Sequence, residues 1–171
     1  MLVRSARVPI VDPIEQALSE RGLFDALRLR NITTDYRFTG VYRFEAGTAG
    51  LIRSVTLFDR KNPHLCIGDD VAWPDSYCRM TAQDGESCWI DSALTDARLR
   101  THNARTAVQS YIGVLLRWPS GAPLGTLCHF DVCPRRTEER TIRDLRSVRG
   151  CVERTLEASL RVRSDQAQER V

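Results

Sequence analysis

The strongest hydrophobic pattern consists of two apolar runs on either side of a short turn near the middle of the chain. Residues 111–116 read YIGVLL and residues 125–131 read GTLCHFD. Pro119-Ser120-Gly121 between them supplies a fixed φ and then a residue that tolerates positive φ. Neither run alternates between apolar and polar side chains, which is typical of strands buried on both faces. The pattern therefore predicts two adjacent antiparallel strands in the middle of a sheet.

The N-terminal part of the chain predicts two helices followed by a hairpin. Asp12-Pro13-Ile14-Glu15 is typical of a helix start, because it combines an N-cap acceptor, a proline at the first helical position and a carboxylate in the first turn. The first helix is expected to end near Gly22, and a second helical segment covers residues 23–33. Residues 36–45 and 50–60 then predict the two strands of a hairpin.

The segment between this hairpin and the central strands has weaker periodicity. Residues 61–74 are rich in turn residues and predict a long crossing loop, a kind of segment that is often functional in compact domains. The elements that follow are expected to be short. They are a helix over residues 77–83, a buried strand over residues 87–91, and a helix that begins at Thr95 or Asp96 and ends near Val108.

The longest periodic stretch lies near the C-terminus. Thr137 is expected to cap a helix with Glu138 and Glu139 in its first turn. Apolar residues then recur at steps of three or four positions, at Ile142, Leu145, Val148, Val152, Leu156 and Leu160. Part of this stripe can lie on the sheet. Leu156 and Leu160 are expected to project beyond it and to pack in a helix-bundle homodimer against their own copies, with Ile14 and Leu18 of the first helix as further contacts.

These elements predict one domain of the α+β class. The chain has 171 residues, of which 42% are hydrophobic, and no interval has the composition of an interdomain linker. We assign residues 1–22 to an N-terminal helix, 23–135 to the domain core, 136–163 to the C-terminal amphipathic helix and 164–171 to a disordered tail.

Composition and charge exclude several classes of protein. No apolar run has the length of a membrane span, and the N-terminus lacks the apolar core of a signal peptide, so a cytoplasmic bacterial protein without membrane contact is expected. The six scattered cysteines are expected to be reduced thiols. Twenty-five basic residues against 22 acidic ones leave a net charge of +3, and the arginines of the last helix alternate with carboxylates. Nucleic-acid binding is therefore not expected.

Several motifs resemble those of GAF domains. Ser110-Tyr111-x-Gly113-Val114-x-Leu116 and Gly125-Thr126-Leu127-Cys128-x-x-Asp131 look like the closing hairpin of that family. The resemblance covers about residues 23–135 and implies a central antiparallel β-sheet of five or six strands with helices on both faces. The other motifs follow in the family's order, namely Thr39 to Phe44, Val55 to Arg60, Ser76-Tyr77-Cys78 and Asp91 to Leu99.

The resemblance also implies where a ligand would bind. The Tyr77-Cys78 segment and the closing hairpin would form opposite walls of the family's ligand cavity. The candidate ligand-binding residues are therefore Tyr77, Cys78, Asp91, Tyr111 and Cys128. The residues by themselves favour a structural thiol in the core for each of the two cysteines. Asp91, which follows a predicted buried strand, either contacts the ligand or fixes a loop.

No catalytic residue and no metal site are predicted. The sequence contains no CxxC or HExxH motif. Cys128 and His129 are neighbours on a strand and so point to opposite faces, which argues against a shared metal ion or a catalytic unit. His129 and Asp131 share a face and are expected to form a hydrogen-bonded pair.

The resemblance implies a sensory or regulatory domain that binds an unidentified small molecule. Its signal would pass to a separate partner or through a homodimer, and the cofactor, if there is one, is unknown. One alternative is a cysteine-dependent redox enzyme like the relatives of this fold that reduce free methionine sulfoxide. Another is a ligand-free interaction domain whose cavity is filled by its own side chains, such as Trp73 or Trp89.

Overall fold

The structure is a computed structural model that describes residues 12–45 and 50–168. This part of the chain forms four helices and six strands. The helices are α1 Pro13–Arg21, α2 Leu23–Asn31, α3 Cys78–Asp84 and α4 Glu139–Gln168. The strands are β1 Phe38–Phe44, β2 Leu51–Asp59, β3 Val71–Ala72, β4 Ser87–Ile90, β5 Ser110–Arg117 and β6 Pro123–Asp131. Three short 3₁₀ turns cover Trp73–Asp75, Ala97–Leu99 and Asn103–Thr106.

The six strands form one antiparallel sheet in the order β3-β2-β1-β6-β5-β4. The predicted central hairpin is confirmed, because β5 and β6 pair along their length and both lie inside the sheet. Residues 110–116 and 124–129 are buried throughout, as expected for strands covered on both faces. The predicted α+β fold with helices on both faces of the sheet is also confirmed.

Alternation along the strands divides the hydrophobic interior into two parts. The helix-side core lies between the sheet and helices α1, α2 and α4; it includes Val41, Ile112, Val114, Leu116, Leu127, Leu145, Val148 and Leu156. The cavity-side core lies between the sheet, α3 and the 3₁₀ turns; it includes Tyr42, Ile52, Tyr77, Cys78, Ile90, Leu99, Tyr111 and Cys128. Successive residues of one strand therefore belong to different cores.

The predicted starts and ends of the shorter helices follow local chemistry. Asp12 caps α1 by accepting a hydrogen bond from the backbone N–H of Ile14 at 2.7 Å, as expected. Gly22, at φ +90°, separates α1 from α2. Gly85, at φ +86°, ends α3 in a left-handed conformation that favours glycine. The predicted turn at residues 46–49 lies outside the described residues, as do residues 1–11.

Two predictions for the middle of the chain are corrected. The helix expected between Thr95 and Val108 does not form, and two 3₁₀ turns replace it. The side chain of His102 accepts a hydrogen bond from the N–H of Ala104 at 3.2 Å and so starts a new turn within the predicted helix. The loop expected at residues 61–74 contains β3, which adds a short strand to the edge of the sheet.

The boundaries of α4 also differ from the prediction. The helix begins at Glu139 rather than after Thr137, because the N–H of Thr137 donates to Asp91 Oδ1 at 2.9 Å and is held outside the helix. It continues to Gln168, beyond the expected end at residue 163, and Arg161 pairs with Glu157 one turn earlier. The tail predicted to be disordered is therefore helical to Gln168, and residues 169–171 lie outside the described residues.

The apolar stripe of α4 belongs to the domain's own core. Leu156 is 3% exposed, so the expectation that it projects beyond the sheet is wrong. Leu160 packs against the same cluster, and α1, which carries Ile14 and Leu18, contacts α4 within one chain. The stripe is covered without a second copy because the N-terminal helices fold back onto it. The apolar stripe of α4 therefore gives no support for a homodimer. Homodimerisation stays a prediction.

Candidate functional site

The floor of the site is a row of three residues across the central strands. Cys128 on β6 pairs with Gly40 of β1 on one side and Gly113 of β5 on the other. A Cβ atom at Gly113 would overlap the Tyr111 hydroxyl, and one at Gly40 would lie 2.9 Å from Tyr42 Cε2. The two glycines therefore leave space in which both tyrosine rings fold over the sheet.

A cavity of about 90 Å³ lies above this floor, beneath α3 and the loop that carries the 3₁₀ turns. It contains four of the five predicted site residues, Tyr77, Cys78, Tyr111 and Cys128. Sequence reasoning missed Tyr42, although its position two residues after Gly40 places it on the same strand face. The other lining residues are Val71, Asp75, Ser76, Ala104, Val108 and Phe130.

Hydroxyl groups surround the sulfur of Cys78, which lies at the start of α3. Thr126 Oγ1, on the floor strand, donates to Cys78 Sγ at 2.9 Å, and the Tyr111 hydroxyl approaches the same sulfur at 3.7 Å. The N–H of Cys78 donates to Ser76 Oγ at 3.1 Å. Cys128 Sγ also lies 3.6 Å from the backbone carbonyl oxygen of Gly40, which competes with Cys78 for the single thiol proton. Cys78 and Cys128 are 4% and 1% exposed, and both thiols are free.

The two thiols differ in acidity. Hydrogen bonding from the neighbouring Cys128 thiol, helped by the hydroxyls of Ser76, Thr126 and Tyr111, lowers the pKa of Cys78 to about 6 against the opposing effect of burial. Burial and the adjacent Cys78 sulfur raise the pKa of Cys128 well above its ordinary value. Cys78 is therefore the more acidic of the two thiols, and Cys128 is the one that holds its proton more strongly.

The hydroxyls of Tyr77 and Tyr111 are occupied by neighbours within the protein. Tyr111 shares a hydrogen bond of 2.9 Å with Thr81, and Tyr77 donates to the carbonyl of Val108 at 3.0 Å. Burial raises the pKa of Tyr77 to about 12, so its hydroxyl stays protonated. The Tyr77 ring also packs on His102, with ring centroids 4.7 Å apart. These contacts hold the aromatic walls in place.

Among the described residues that line the cavity, none is a lysine, an arginine or a histidine. Asp75 is the one carboxylate among the described residues that line it, and Asp75 Oδ1 accepts a hydrogen bond from Asn103 Nδ2 at 2.7 Å. The remaining lining atoms are largely aromatic, aliphatic or sulfur. Such a surface favours a small uncharged molecule over a carboxylate or phosphate.

Asp91, the fifth predicted site residue, does not line this cavity. It is exposed at the end of β4, and its carboxylate accepts the hydrogen bond from Thr137 described above. Its backbone carbonyl accepts from the N–H of Arg135 at 3.0 Å. Of the two roles considered for Asp91, these contacts correspond to fixing the segment between β6 and α4.

His129 and Asp131 do not form the predicted pair. His129 Nδ1 contacts Thr39 Oγ1 at 2.7 Å. Asp131 instead accepts from the N–H of Arg37 at 3.0 Å and from Arg135 Nε at 2.9 Å. Within residues 12–45 and 50–168, no group of three or more side chains has the arrangement of a metal site.

Neither tryptophan considered as a filler lines the cavity. Trp89 is 48% exposed, and Trp73 packs edge-on against Phe44 with ring centroids 5.1 Å apart.

In the part of the chain that the structure describes, no helix is long and apolar enough to cross a membrane.

Comparisons with solved structures identify the fold. A GAF domain from Acinetobacter phosphoenolpyruvate-protein phosphotransferase matches 88% of this chain and 92% of its own with a TM-score of 0.69 at 12% identity. Free methionine-R-sulfoxide reductase from Neisseria meningitidis matches 87% of each chain with a TM-score of 0.68 at 14% identity. The type II free methionine-R-sulfoxide reductase from Thermoplasma acidophilum matches 86% of this chain and 96% of its own, with a TM-score of 0.60 at 17% identity.

The protein has a GAF fold. At these identities the likeness concerns the fold of the chain and leaves its chemistry to the site itself. No protein-family model matches the sequence, and the comparison with curated proteins gives no significant match.

Proposed function

We propose that this GAF domain is a sensory or regulatory module that binds a small uncharged molecule in the cavity between α3 and the sheet. The observation that carries the proposal is the cavity itself, whose described lining has aromatic rings and two thiols but no cationic side chain. Asp75, Ser76, Tyr77 and Tyr111 already have hydrogen-bond partners within the protein, so a ligand would be held mainly by aromatic and sulfur contacts.

The size of the cavity limits the ligand. An engineered protein cavity of about 150 Å³ holds benzene, and one water occupies about 30 Å³ in the liquid. A volume of about 90 Å³ therefore suits a molecule with a few non-hydrogen atoms. Such a molecule would contact α3 through Cys78 and the 3₁₀ turns through Ala104 and Val108.

A route for the signal is available in the segments that cover the cavity. The Asp75–Asn103 hydrogen bond joins the turn before α3 to the turn at Asn103–Thr106. A ligand that separates or draws together these segments would change the surface that they present. A separate signalling partner or the second subunit of a homodimer would respond to that changed surface. Sedimentation of the wild-type protein tests the homodimer.

Xenon is a suitable probe because it binds dry apolar cavities without specific chemistry. Methyl NMR spectra under xenon pressure should shift at the cavity residues Val71, Ala104 and Val108 while Val114, in the helix-side core, stays unchanged. Ala104→Phe should fill the cavity and abolish the shifts. The control Ala158→Phe, on an exposed position of α4, should leave them intact. Xenon shifts that are absent from wild type, or that survive Ala104→Phe, would refute binding in this cavity.

A second candidate is a thiol-dependent redox enzyme. It is supported by the Cys78–Cys128 pair and by the fold shared with two free methionine-R-sulfoxide reductases. Free methionine sulfoxide carries an ammonium and a carboxylate, however, and the described lining of the cavity has no cationic side chain for the carboxylate. We therefore expect no turnover of free methionine sulfoxide with a dithiol reductant. Turnover that Cys78→Ser or Cys128→Ser removes would make this candidate the function.

A further inference from the structure

We infer that Cys78 and Cys128 are a peroxide-reactive pair, in which a small hydroperoxide enters the cavity and oxidises the two thiols to a disulfide. This inference rests on the proposed function, because the peroxide must reach the cavity that binds small uncharged molecules. The reversible modification of the cavity would be a disulfide between Cys128 on its floor and Cys78 on α3.

The geometry separates this pair from the other cysteines. Cys78 lies at the first turn of α3 and Cys128 lies on β6; both line the same cavity, and their thiols are close enough to hydrogen-bond. Cys66 and Cys133 are exposed, and Cys88 and Cys151 are buried outside the lining. Cys78 receives the hydroxyl of Thr126 at 2.9 Å, and the neighbouring Cys128 is the thiol that holds its proton more strongly. A nucleophile and a second thiol are thus held together beside a space that a small oxidant can occupy.

The reaction balances with these two residues and the peroxide. The Cys78 thiolate attacks one oxygen of ROOH, so that an S–O bond forms and the O–O bond breaks. The departing RO⁻ takes the proton of the Cys128 thiol and leaves as ROH. The Cys128 thiolate then attacks the sulfenic sulfur of Cys78, the S–S bond forms, and hydroxide leaves. Two electrons pass from the thiols to the peroxide, and an external dithiol can reverse the change.

The cavity favours a small peroxide over larger or charged oxidants. Hydrogen peroxide is uncharged and close to water in size, so it fits within about 90 Å³. Cumene hydroperoxide carries a phenyl ring and a branched chain and exceeds the space. Selection by size would therefore identify a reaction inside the cavity, because an exposed thiol does not distinguish the two reagents in this way.

The experiment uses the full chain with Cys66→Ser and Cys133→Ser, which removes both exposed thiols. This reduced protein is treated with hydrogen peroxide or cumene hydroperoxide, and remaining thiols are then blocked in denaturant. Peptide mass spectrometry measures the Cys78–Cys128 disulfide and the loss of the Cys88 and Cys151 thiols. We expect the disulfide to form at least about tenfold faster than either control thiol is lost, and about tenfold faster with hydrogen peroxide than with cumene hydroperoxide.

Variants test the order of events. Cys128→Ser should accumulate a sulfenic acid on Cys78 that dimedone traps, and Cys78→Ser should leave Cys128 unmodified. Thr126→Val keeps both cysteines and should slow oxidation severalfold, because it removes the hydrogen bond to Cys78 Sγ. The matched change Thr155→Val, at a helix hydroxyl that bonds to the carbonyl of Cys151, should not alter the rate. Thr126→Val stays informative if a cysteine variant fails to fold.

The outcomes separate this inference from the proposed function. Xenon shifts together with a size-selective Cys78–Cys128 disulfide support both. Xenon shifts without the disulfide, or with a disulfide formed equally fast by both peroxides, overturn the redox inference alone. If wild type shows neither xenon shifts nor the disulfide, both proposals are wrong.

Discussion

The two faces of the sheet have interiors of different chemistry. The helix-side core is built mainly from aliphatic side chains that pack between the strands and α1, α2 and α4. The cavity-side core contains Tyr42, Tyr77, Tyr111, Cys78 and Cys128 and encloses a space of about 90 Å³. Aliphatic side chains can fill space closely, whereas hydroxyls and thiols must first satisfy each other. The comparison assigns stability to the first face and chemistry to the second.

Cys128 and His129 show how sharply one strand separates these two environments. They are adjacent on β6, yet Cys128 lies in the cavity and His129 is fully buried on the helix side. Asn31 Nδ2 donates to Thr39 Oγ1 at 2.8 Å, and the same hydroxyl shares a hydrogen bond of 2.7 Å with His129 Nδ1. Burial, followed by the charges of Arg30 and Arg60, lowers the pKa of His129 to about 3. This histidine is therefore neutral and structural.

The largest effect is expected from Leu156→Glu in the helix-side core. Leu156 is 3% exposed, so the new carboxyl group would be buried among aliphatic side chains, at a cost of roughly 4 kcal/mol or more of unfolding free energy. Urea unfolding followed by circular dichroism measures this. Ala158→Glu, exposed on the same helix, should change stability by less than about 0.5 kcal/mol. If the Leu156→Glu protein is as stable as wild type, Leu156 does not belong to the domain's own core and is again a candidate dimer contact.

Gly113→Ala tests the cavity side, where the added methyl group would displace the Tyr111 hydroxyl from Thr81. We expect a loss of about 1–3 kcal/mol and a changed response to xenon, because the ring can no longer fold over the floor. The control is Gly150→Ala in α4, where the nearest atom to the new Cβ is the end of Arg154 at 3.4 Å. That change should be neutral or stabilising by up to about 1 kcal/mol. Equal losses in both variants would contradict the special role of Gly113.

The buried His129 should make stability depend on pH. Its pKa in the folded state, about 3, lies below the value of about 6.5 in the unfolded state, so the unfolded chain binds more protons as the pH falls below about 6.5. Stability should therefore decrease between about pH 6.5 and about pH 5, by up to about 1.4 kcal/mol per pH unit. The stability that Asp59 gains from Arg37, which lowers its pKa, is lost only at more acidic pH.

Unfolding measured across this range in wild type and His129→Asn isolates the histidine. The variant should lose most of the slope, because asparagine does not titrate. His102, whose pKa burial also lowers, adds a slope of the same sign to both proteins and cancels in the comparison. Identical slopes would show that His129 is accessible to protons in the folded state.

The smallest effect on stability is expected from Thr126→Val on the cavity side. The substitution removes one hydrogen bond to Cys78 and should cost about 1 kcal/mol. It should also raise the pKa of Cys78 above about 6, since the thiolate loses a donor. Ultraviolet absorbance of the thiolate, measured against pH in the Cys66→Ser and Cys133→Ser background, reports the change. An unchanged titration would mean that Thr126 does not act on Cys78.

Much of the fold could be predicted from local pattern. The uninterrupted apolar runs of β5 and β6 require burial on both faces, and the Asp12-Pro13 start and Gly85 end are set by short-range backbone chemistry. Four of the five candidate site residues lie together because the resemblance supplied the pairing of α3 with the hairpin. The position of Tyr42 on the cavity face could have been predicted from strand alternation, because it follows Gly40 by two residues. The sequence does not indicate that its ring folds over that glycine.

The sequence by itself determined the elements whose causes are local: periodicity, caps and turns. The tertiary structure decided which surfaces meet. The same apolar stripe on α4 can be covered by a second chain or by α1, and Asp91 can serve a ligand or a loop, since these alternatives have the same local pattern. The acidity of Cys78 depends on Thr126 and Cys128, which are distant along the chain and close in space. Packing and hydrogen bonds of that kind depend on the folded arrangement of strands, which no stretch of neighbouring residues encodes.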